Sequence, residues 1–373
     1  MVKQITLKTL AGLLALAAVI SVPFKVEAKA DVQVSAEAFV LMEADSGEII
    51  FQKDFEKRLP MASTTKIMTA LVALEMGELT KKVEIAPEAV GTEGSSMYLK
   101  EGESLTLSDL LYALMLQSAN DAAVAIAYEI AGGTDEFAAL MNRRAEQMGL
   151  SNTHFTNPHG LDSEEHYTTA SDLAEIAREA MKNEEFRKIV STKSVTLTDG
   201  HRSFTNHNKL LSAYDGAVGV KTGYTKRSGR CLVSAASRDD VTLIAVTLNA
   251  PSDWEDHKRL LDAGFDMLEH NIVAQPNEIF YDLPVVGGKD SVIRLSNREL
   301  FSVTLKKDSH VITRIESDRF FPAPITAGDA LARAVFYVDG EEIGSIPLFA
   351  EYSVAERDDD PTFFERILNF FGK

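Results

Sequence analysis

A hydroxyl and an amine lie one helical turn apart at the start of an apolar helix, and this pair constrains the chain more than any other feature. The stretch Ser63-Thr64-Thr65-Lys66 precedes an apolar run, residues 67–74, that predicts a helix ending at Gly77. Residues three apart share a helix face, so we expect the Lys66 amine close to the Ser63 hydroxyl. A serine becomes a nucleophile when a neighbouring base takes its proton, and a lysine becomes such a base when burial or another cation lowers its pKa.

Two later stretches carry polar groups of the same kind. Ser118-Ala119-Asn120 follows a predicted apolar helix, residues 107–117, and Lys221-Thr222-Gly223 ends a predicted strand, residues 216–220. Each has an ordinary alternative: the first as a cap for a helix over residues 121–131, the second as a simple strand end. The order Ser-x-x-Lys, Ser-x-Asn, Lys-Thr-Gly is nevertheless the signature set of penicillin-recognising serine enzymes. Coincidence of all three motifs is improbable, and the functional interpretation is favoured.

The first 30 residues are typical of a secretory signal peptide. Lys3 and Lys8 form a basic start, residues 10–22 are apolar, and Ala28 and Ala30 supply small residues for cleavage. The alternative is an uncleaved membrane helix. It is disfavoured because the apolar run is shorter than the roughly 20 residues that span a bilayer. We therefore predict an exported protein.

The last segment, residues 357–373, combines an acidic linker with an amphipathic tail. Wound as a helix, the tail places Glu365, Arg366 and Asn369 on one side. The opposite side is apolar and consists of Phe363, Phe364, Ile367, Leu368, Phe370 and Phe371. Such a helix is suited to lie in a membrane interface, and the alternative is a helix docked on the protein's own body.

Charge and cysteine content exclude several classes of partner. The net charge is −18, and the first 30 residues carry four lysines against one glutamate, so their removal makes the chain more acidic. This acidity argues against nucleic-acid partners and against broad electrostatic adhesion to anionic lipid. Cys231 is the only cysteine, so no internal disulfide forms. It lies in a strand-like run, residues 230–236, where a buried apolar role is expected.

In residues 39–249, predicted strands come first and last in the sequence, and predicted helices lie between them. Strands are predicted over residues 39–43, 48–53, 217–222, 230–237 and 241–249. Helices are predicted between residues 63 and 183, with Thr134 as the cap of a helix over residues 135–148. A further helix, residues 253–269, closes this region. Because sequential strands tend to pair, this arrangement predicts one mixed sheet packed by helices.

Residues 272–356 have a different sequence pattern. Apolar and polar residues alternate in short runs typical of strands, and no long helix is predicted. Strands are predicted over residues 292–295, 300–305, 311–316, 334–338 and 343–349, with Asp339-Gly340 as a hairpin turn. The segment contains no convincing nucleophile, metal-ligand or phosphate-loop spacing. We interpret it as a small β domain that acts as a spacer or docking module.

These features together closely resemble the low-molecular-mass penicillin-binding D-alanyl-D-alanine carboxypeptidases. The resemblance rests on the three motifs, Thr156-Asn157-Pro158-His159-Gly160-Leu161, the β domain and the tail. It implies an α+β fold: a transpeptidase/β-lactamase-like domain over residues 31–271, with a five-stranded antiparallel sheet flanked by helices. The small all-β domain and a C-terminal membrane-anchor helix follow. It also implies peptidoglycan stem peptides ending in D-Ala-D-Ala as substrates, inhibition by β-lactams, no cofactor, and a place on the outer face of the bacterial cytoplasmic membrane.

The resemblance also implies roles for five side chains, with Ser63, Lys66 and Ser118 as catalytic residues and Asn120 and Lys221 as substrate-binding residues. Ser63 attacks the carbonyl between the two D-alanines and forms an acyl-enzyme, and Lys66 takes the Ser63 proton. Lys221 lowers the pKa of Lys66 by like-charge repulsion. Ser118 relays a proton to the departing nitrogen, and Asn120 holds the substrate amide.

Substrate binding is implied for the strand that ends in the third motif. Thr222 and Thr225 are expected to bind the terminal carboxylate beside Lys221, and the backbone N–H groups of Ser63 and Tyr224 to form the oxyanion hole. Gly223, between Thr222 and Tyr224, is also implied to be a substrate-binding residue of this strand. Some relatives have histidine where this chain has Tyr224. No carboxylate-binding arginine is assignable near residues 251–254.

Three other functions compete with this interpretation. A class A β-lactamase needs a water-activating glutamate, and Glu164 and Glu165 lack the Glu-x-x-Leu-Asn setting of those enzymes. A catalytically idle wall-binding protein would not need the intact motifs. A D,D-endopeptidase shares all of the chemistry and differs only in how open the groove is.

The sequence lacks the motifs of two further classes of enzyme, zinc enzymes and Ser-His-Asp hydrolases. His154, His159 and His166 match no zinc-site spacing, so we expect them to pack a loop and predict no metal. A Ser-His-Asp hydrolase is disfavoured because the Gly-x-Ser-x-Gly elbow is missing.

Overall fold

The computed structural model describes residues 32–357. The predicted signal peptide, and all of the linker and tail beyond Arg357, lie outside the described residues. Within the described range, residues 32–270 and 304–307 form one compact unit, and residues 271–303 and 308–357 form a second. Each unit has a hydrophobic core of its own.

The first unit is a sequence of strands and short helices. Its strands are β1 Ala38–Glu43, β2 Ile49–Lys53, β3 Lys82–Glu84, β4 Ser104–Thr106, β5 Ser194–Thr196, β6 Ser203–Thr205, β7 Ala217–Thr225, β8 Gly229–Arg238 and β9 Val241–Leu248. Its helices are α1 Lys66–Met76, α2 Leu107–Tyr112, α3 Asn120–Ala131, α4 Thr134–Gln147, α5 Ala170–Lys182, α6 Glu184–Ser191, α7 Leu210–Ala213 and α8 Asp253–Met267. A 3-10 turn, Ala62–Thr65, leads into α1, and a π-helical segment, Ala113–Gln117, extends α2.

Five strands form one antiparallel sheet in the order β2-β1-β9-β8-β7. The five-stranded antiparallel sheet that the resemblance implied is confirmed, and the mixed sheet expected from strand order alone is wrong. Each neighbouring pair runs antiparallel, including β1 with β9, which are far apart in sequence. Strand β7 is therefore an edge strand, with one side open to the segment that lies beside it.

Both faces of this sheet are covered. Along β1, Val40 and Met42 face a large cluster shared with the helices, whereas Phe39 and Leu41 face a second cluster that includes residues of α8. Side chains alternate between the two faces of a strand, so a strand buried on both faces must be apolar at every position. This explains the unbroken apolar run at the start of the chain's first strand.

Two predicted helix boundaries are wrong by one or two residues. Thr134 is the first residue of α4, and Gly133 occupies the cap position. The helix predicted over residues 253–269 ends at Met267 because Leu268 already begins a strand. Helix ends are weakly specified by local sequence, and strand pairing decides where this one stops.

From Leu268 the chain forms eight strands and, up to residue 357, no helix. They are β10 Leu268–Ala274, β11 Phe280–Val286, β12 Val292–Asn297, β13 Phe301–Lys306, β14 Val311–Ser317, β15 Phe321–Pro322, β16 Ala330–Val338 and β17 Glu341–Ala350. Six form a sheet in the order β14-β16-β17-β12-β11-β15. The predicted small all-β domain is confirmed, and the predicted turn Asp339-Gly340 has positive φ at both residues.

A buried histidine joins α8 to the main sheet. His257 lies within hydrogen-bonding distance of the Ser234 hydroxyl, at 2.5 Å from Nδ1, and of the Thr247 hydroxyl, at 2.9 Å from Nε2. Burial lowers the pKa of His257 to about 3, so the folded protein holds a neutral ring. The unfolded chain takes up a proton as pH falls below about 6.5, whereas the folded protein does not until about pH 3.

We predict that His257 makes the free energy of unfolding decrease as pH falls between about 6.5 and 3. Replacing His257 with Gln removes this proton uptake by the unfolded chain. The slope of the free energy of unfolding against pH therefore falls by about 1.4 kcal/mol per pH unit. Urea unfolding followed by fluorescence of Trp254, the only tryptophan, measures the slope. The solvent-exposed His201→Gln variant is the control, and equal slopes for wild type and His257→Gln would contradict the prediction.

Candidate active site

The 3-10 turn before α1 presents Ser63 beside Lys66. The Lys66 Nζ lies 3.1 Å from the Ser63 Oγ, as the spacing of the two residues predicts. Lys66 is fully buried, whereas Ser63 is only half-buried and open to an incoming ligand. Ala62 before it has a positive φ of 48°, an uncommon conformation for a residue with a Cβ.

Uncharged oxygens surround the buried amine. Lys66 Nζ donates to Asn120 Oδ1 at 2.6 Å and to the His159 carbonyl at 2.5 Å. Among residues 32–357, none of the Lys66 hydrogen-bond partners is a carboxylate. Burial, together with the charge of Lys221, holds the pKa of the Lys66 amine well below its usual range, although the more distant Asp121 opposes this shift. A neutral amine at this position is able to accept a proton.

The second motif places Asn120 against Lys66. The Asn120 amide is oriented by Nδ2, which donates to the Glu93 carbonyl at 2.6 Å, so that Oδ1 is directed to the amine. Ser118 ends the π-helical segment with a positive φ of 62° and is buried. The turn at Ser118 ends one helix and starts the next, and it brings this motif to the same cleft as Lys66.

The third motif lies on the edge strand β7, alongside the Ser63 turn. A Cβ added to Gly223 would lie 3.1 Å from the Met61 carbonyl and 3.1 Å from the Ser63 and Thr64 backbone nitrogens. Glycine therefore favours the close approach of the two backbones, because a side chain here would require the Ser63 turn to shift by a few tenths of an ångström. Lys221, two residues earlier on the same strand face, is buried, and its Nζ donates to the Thr222 carbonyl at 3.0 Å. Burial lowers the pKa of the Lys221 amine to about 7.

The last residues of β7 differ in their surroundings. Thr222 is half-buried and Tyr224 is 67% exposed. The Thr225 hydroxyl is already engaged, because it lies 3.0 Å from Asp162 Oδ1 and 2.9 Å from the Ser228 hydroxyl. This engagement leaves the Thr225 hydroxyl less available to a new hydrogen-bond partner.

Sequence reasoning missed the part played by the loop of residues 156–161. Its His159 carbonyl binds Lys66, and Gly160 passes so close to the Ser63 turn that an added Cβ would lie 2.0 Å from the Ala62 carbonyl oxygen. Gly160 also has a positive φ of 91°, so both space and conformation require glycine. No sequence signal points to a backbone carbonyl, since every residue has one.

His166 is a second residue whose role the sequence did not reveal. The Thr156 N–H donates to His166 Nδ1 at 3.0 Å, so the ring proton is assigned to Nε2, which lies 2.8 Å from Thr65 Oγ1. The Thr65 hydroxyl donates in turn to the Ala62 carbonyl at 2.8 Å. Burial, with the charges of His154 and Lys66, lowers the pKa of His166 to about 4. The neutral ring thus connects the loop to the residues on either side of Ser63.

The remaining described residues that the sequence analysis singled out make no hydrogen bond to Lys66. Cys231 is buried opposite Gly223, and burial raises the pKa of its thiol to about 11, as expected for a structural residue. Glu164 and Glu165 are both exposed to solvent. The structure described for residues 32–357 contains no cluster of three or more metal-ligating side chains.

Comparison with protein families agrees with this geometry. Residues 24–252 match the model of the D-alanyl-D-alanine carboxypeptidase family. Residues 269–356 match the model of the C-terminal domain of penicillin-binding protein 5. The two matches together span both units of the structure.

Individual relatives align over most of the chain. D-alanyl-D-alanine carboxypeptidase DacF of Bacillus subtilis is 35% identical over 85% of this chain and 85% of its own. DacC of Escherichia coli is 32% identical over 90% of this chain and 88% of its own. Penicillin-binding protein 5 from Haemophilus influenzae is 31% identical, with a TM-score of 0.70 over 87% of this chain and 98% of that one.

A shorter relative matches the first unit alone. A mutant of the Streptomyces K15 DD-transpeptidase is 35% identical, with a TM-score of 0.59 over 62% of this chain and 98% of that one. The full-length matches and the arrangement of Ser63, Lys66 and Asn120 point to the same group of enzymes. The chain therefore belongs to the D-alanyl-D-alanine carboxypeptidase family of serine peptidases, with a second domain of the kind found at the C-terminus of penicillin-binding protein 5.

Proposed function

We propose that this protein is a serine-type D-Ala-D-Ala carboxypeptidase that removes the terminal D-alanine from peptidoglycan stem peptides and is inhibited by β-lactams. The observation that carries the proposal is the buried Lys66 amine, 3.1 Å from the Ser63 hydroxyl and free of any carboxylate partner among residues 32–357. This arrangement supplies both a nucleophile and the base that activates it.

In the first step, Ser63 Oγ attacks the carbonyl carbon between the two D-alanines while its proton passes to Lys66 Nζ. The pKa of the Lys66 amine is lowered by burial and also by the Lys221 charge, which favours the neutral amine that this step requires. The product of this step is a tetrahedral oxyanion bound to Ser63.

The backbone N–H groups of Ser63 and Tyr224 are proposed to bind that oxyanion. Gly223 approaches the Ser63 nitrogen so closely that amides from the turn and from β7 are able to converge on one oxygen. By analogy with other hydrolases, removing one such donor lowers the rate by roughly 10²–10³.

Collapse of the oxyanion releases D-alanine and leaves an acyl group on Ser63. The departing nitrogen needs a proton, and we assign its delivery to Ser118, with Lys66 as the source. Asn120 keeps one N–H and one lone pair beyond its bonds to Glu93 and Lys66, and these are able to hold the substrate amide. Water then hydrolyses the acyl-enzyme.

The terminal carboxylate of the substrate is assigned to Thr222 and the Lys221 ammonium. Gly223 and Tyr224 supply the strand edge along which the peptide lies. Thr225, through Asp162, connects β7 to the loop of residues 156–162. In this assignment Thr225 acts on the shape of the cleft.

The chain organisation and location follow the same proposal. We assign residues 1–30 to a signal peptide, 31–271 to the catalytic domain, 272–356 to the small β domain and 357–373 to an acidic linker and amphipathic anchor. The protein would then work on the outer face of the cytoplasmic membrane. Within residues 32–357, no helix is both long and apolar enough to pass through a bilayer.

Mass spectrometry of muropeptides before and after treatment tests the activity against its alternatives. A carboxypeptidase shortens uncross-linked stems by one D-alanine, and a D,D-endopeptidase separates cross-linked stems. An idle protein changes neither. Rapid turnover of benzylpenicillin would instead favour a β-lactamase, although Glu164 and Glu165 lack the Glu-x-x-Leu-Asn setting of those enzymes.

We predict that Ser63→Ala abolishes both covalent labelling by penicillin and release of D-alanine, because no other residue supplies the acyl acceptor. Intact-protein mass and a D-alanine assay measure the two effects. The exposed Ser212→Ala variant is the control and keeps both activities. Release of D-alanine by Ser63→Ala would show that the nucleophile is misassigned.

We predict that Lys66→Arg lowers the rate of acylation by about 10²–10⁴, because a guanidinium stays protonated and cannot accept the Ser63 proton. The rate of penicillin labelling measures this loss. Lys226→Arg, an exposed change of the same kind close to the cleft, leaves the rate unaltered. Full activity in Lys66→Arg would remove Lys66 from the role of base.

We predict that His166→Ala lowers the acylation rate of the folded protein by about ten- to hundredfold, because the turn that carries Ser63 loses its connection to the loop. His166→Gln can still donate to Thr65 and recovers part of the rate. Acylation per folded molecule, with folding checked by near-ultraviolet circular dichroism, separates this effect from lost stability. Equal rates for the wild type and both variants would exclude a positioning role.

A further inference from the structure

The second unit carries an exposed apolar patch on the outer face of its sheet. Large side chains there are open to solvent: Phe320 is 55% exposed, Val286 53%, Tyr352 43% and Val292 42%. The patch consists of Pro284, Val286, Val292, Phe320, Pro322 and Tyr352. Contiguous apolar patches on a protein surface commonly mark a binding surface.

Strand register places four of these residues, Pro284, Val286, Val292 and Pro322, on one face, and Phe320 directly precedes β15. Val286 pairs with Pro322, and Pro284 pairs with Val292, so the outward side chains of β15, β11 and β12 lie side by side. The alternate residues of these strands face the core, as Leu283 and Ile293 do. Neighbouring strands are about 4.8 Å apart, so the patch is roughly 10–15 Å wide.

Tyr352 and an ion pair define one border of the patch. The Tyr352 hydroxyl donates to the Val292 carbonyl at 3.3 Å, which holds the ring over the end of β12. The next row along β11 and β12 is the exposed ion pair of Asp282 with Arg294. An aromatic ring with a polar tip beside a charged border is the composition found where proteins meet the membrane–water interface.

The described chain ends beside this patch. The Arg357 N–H donates to the Gly287 carbonyl at 2.8 Å, and Glu356 forms a bridge with Gly288. Gly287 directly follows Val286, so the last described residue, Arg357, lies at the border of the patch. Only residues 358–362 separate this point from Phe363, and six peptide steps span at most about 20 Å. If the tail is in a membrane interface, the patch is within that distance of the lipid.

We propose that the apolar patch is a second lipid-contacting surface, which inserts into the membrane interface beside the C-terminal tail. This inference depends on the proposed membrane attachment of the tail. The linker residues Asp358, Asp359 and Asp360 repel anionic headgroups, so apolar contact must supply the binding that charge does not. The patch adds apolar contact at the place where the tail begins.

Vesicle sedimentation tests the proposal, with the chain lacking residues 1–30 so that the signal segment does not bind lipid itself. The probe is a vesicle of equal parts phosphatidylethanolamine and phosphatidylglycerol. We expect the Val286→Thr/Phe320→Thr double variant, with its tail intact, to partition about tenfold more weakly than the wild type. Ile312→Thr is the matched control, because Ile312 is also 53% exposed but lies on β14, at the opposite edge of the sheet.

Equal partitioning of the double variant and the wild type would overturn the proposal and leave the tail as the sole contact. A tail deletion, ending the chain at Arg357, tests the anchor separately. If that deletion leaves binding unchanged while the patch variant weakens it, the proposed anchor fails and the patch stands.

A fluorescent probe tests whether the tail itself covers the patch. A Phe320→Cys variant takes an environment-sensitive dye selectively, because Cys231 is only 1% exposed. We expect the emission to shift to the blue when vesicles are added. A blue-shifted emission without vesicles that reverts on deletion of the tail would show that the tail occupies the patch, and would overturn the proposal.

Discussion

A buried amine with no carboxylate partner among the described residues is the constraint on which the catalytic unit depends. Lys66 is surrounded by the Ser63 hydroxyl, the Asn120 amide oxygen and the His159 carbonyl. These oxygens replace the hydrogen bonds of water without neutralising a charge, so burial and the Lys221 cation are able to lower the pKa. A carboxylate in the same place would stabilise the ammonium and remove the proposed base. The site therefore needs neutral acceptors, and it takes them from three distant segments of the chain.

The fold supplies those acceptors by close approach of backbones. The edge strand β7 lies against the Ser63 turn because Gly223 has no Cβ, and the loop of residues 156–161 lies against the same turn because of Gly160. His166 joins that loop to Thr65 through a neutral ring. Since the sheet is buried on both faces, the packing of the whole core determines the position of β7. The packed core therefore also holds the cleft beside β7 in place.

In the proposed arrangement, the second unit serves a different purpose from the catalytic unit, which is to determine where the enzyme works. A family member that trims stem peptides needs to be close to the wall, and nothing in the catalytic cleft provides this. In the proposed arrangement, the tail and the apolar patch together hold the β unit at the lipid surface. Because the chain is acidic, this proposed attachment depends on apolar contact and not on charge.

The sequence by itself determined the Ser63–Lys66 pair, the order of the three motifs, most strands and the change to an all-β region, because these follow from local periodicity and short spacings. Tertiary structure alone decided the antiparallel order of the sheet, the engagement of Thr225 by Asp162, and the parts played by the His159 carbonyl and His166. The reason is physical. A backbone carbonyl exists at every residue and a loop histidine has no characteristic spacing, so their roles arise only when residues about 100 positions apart meet in the folded chain.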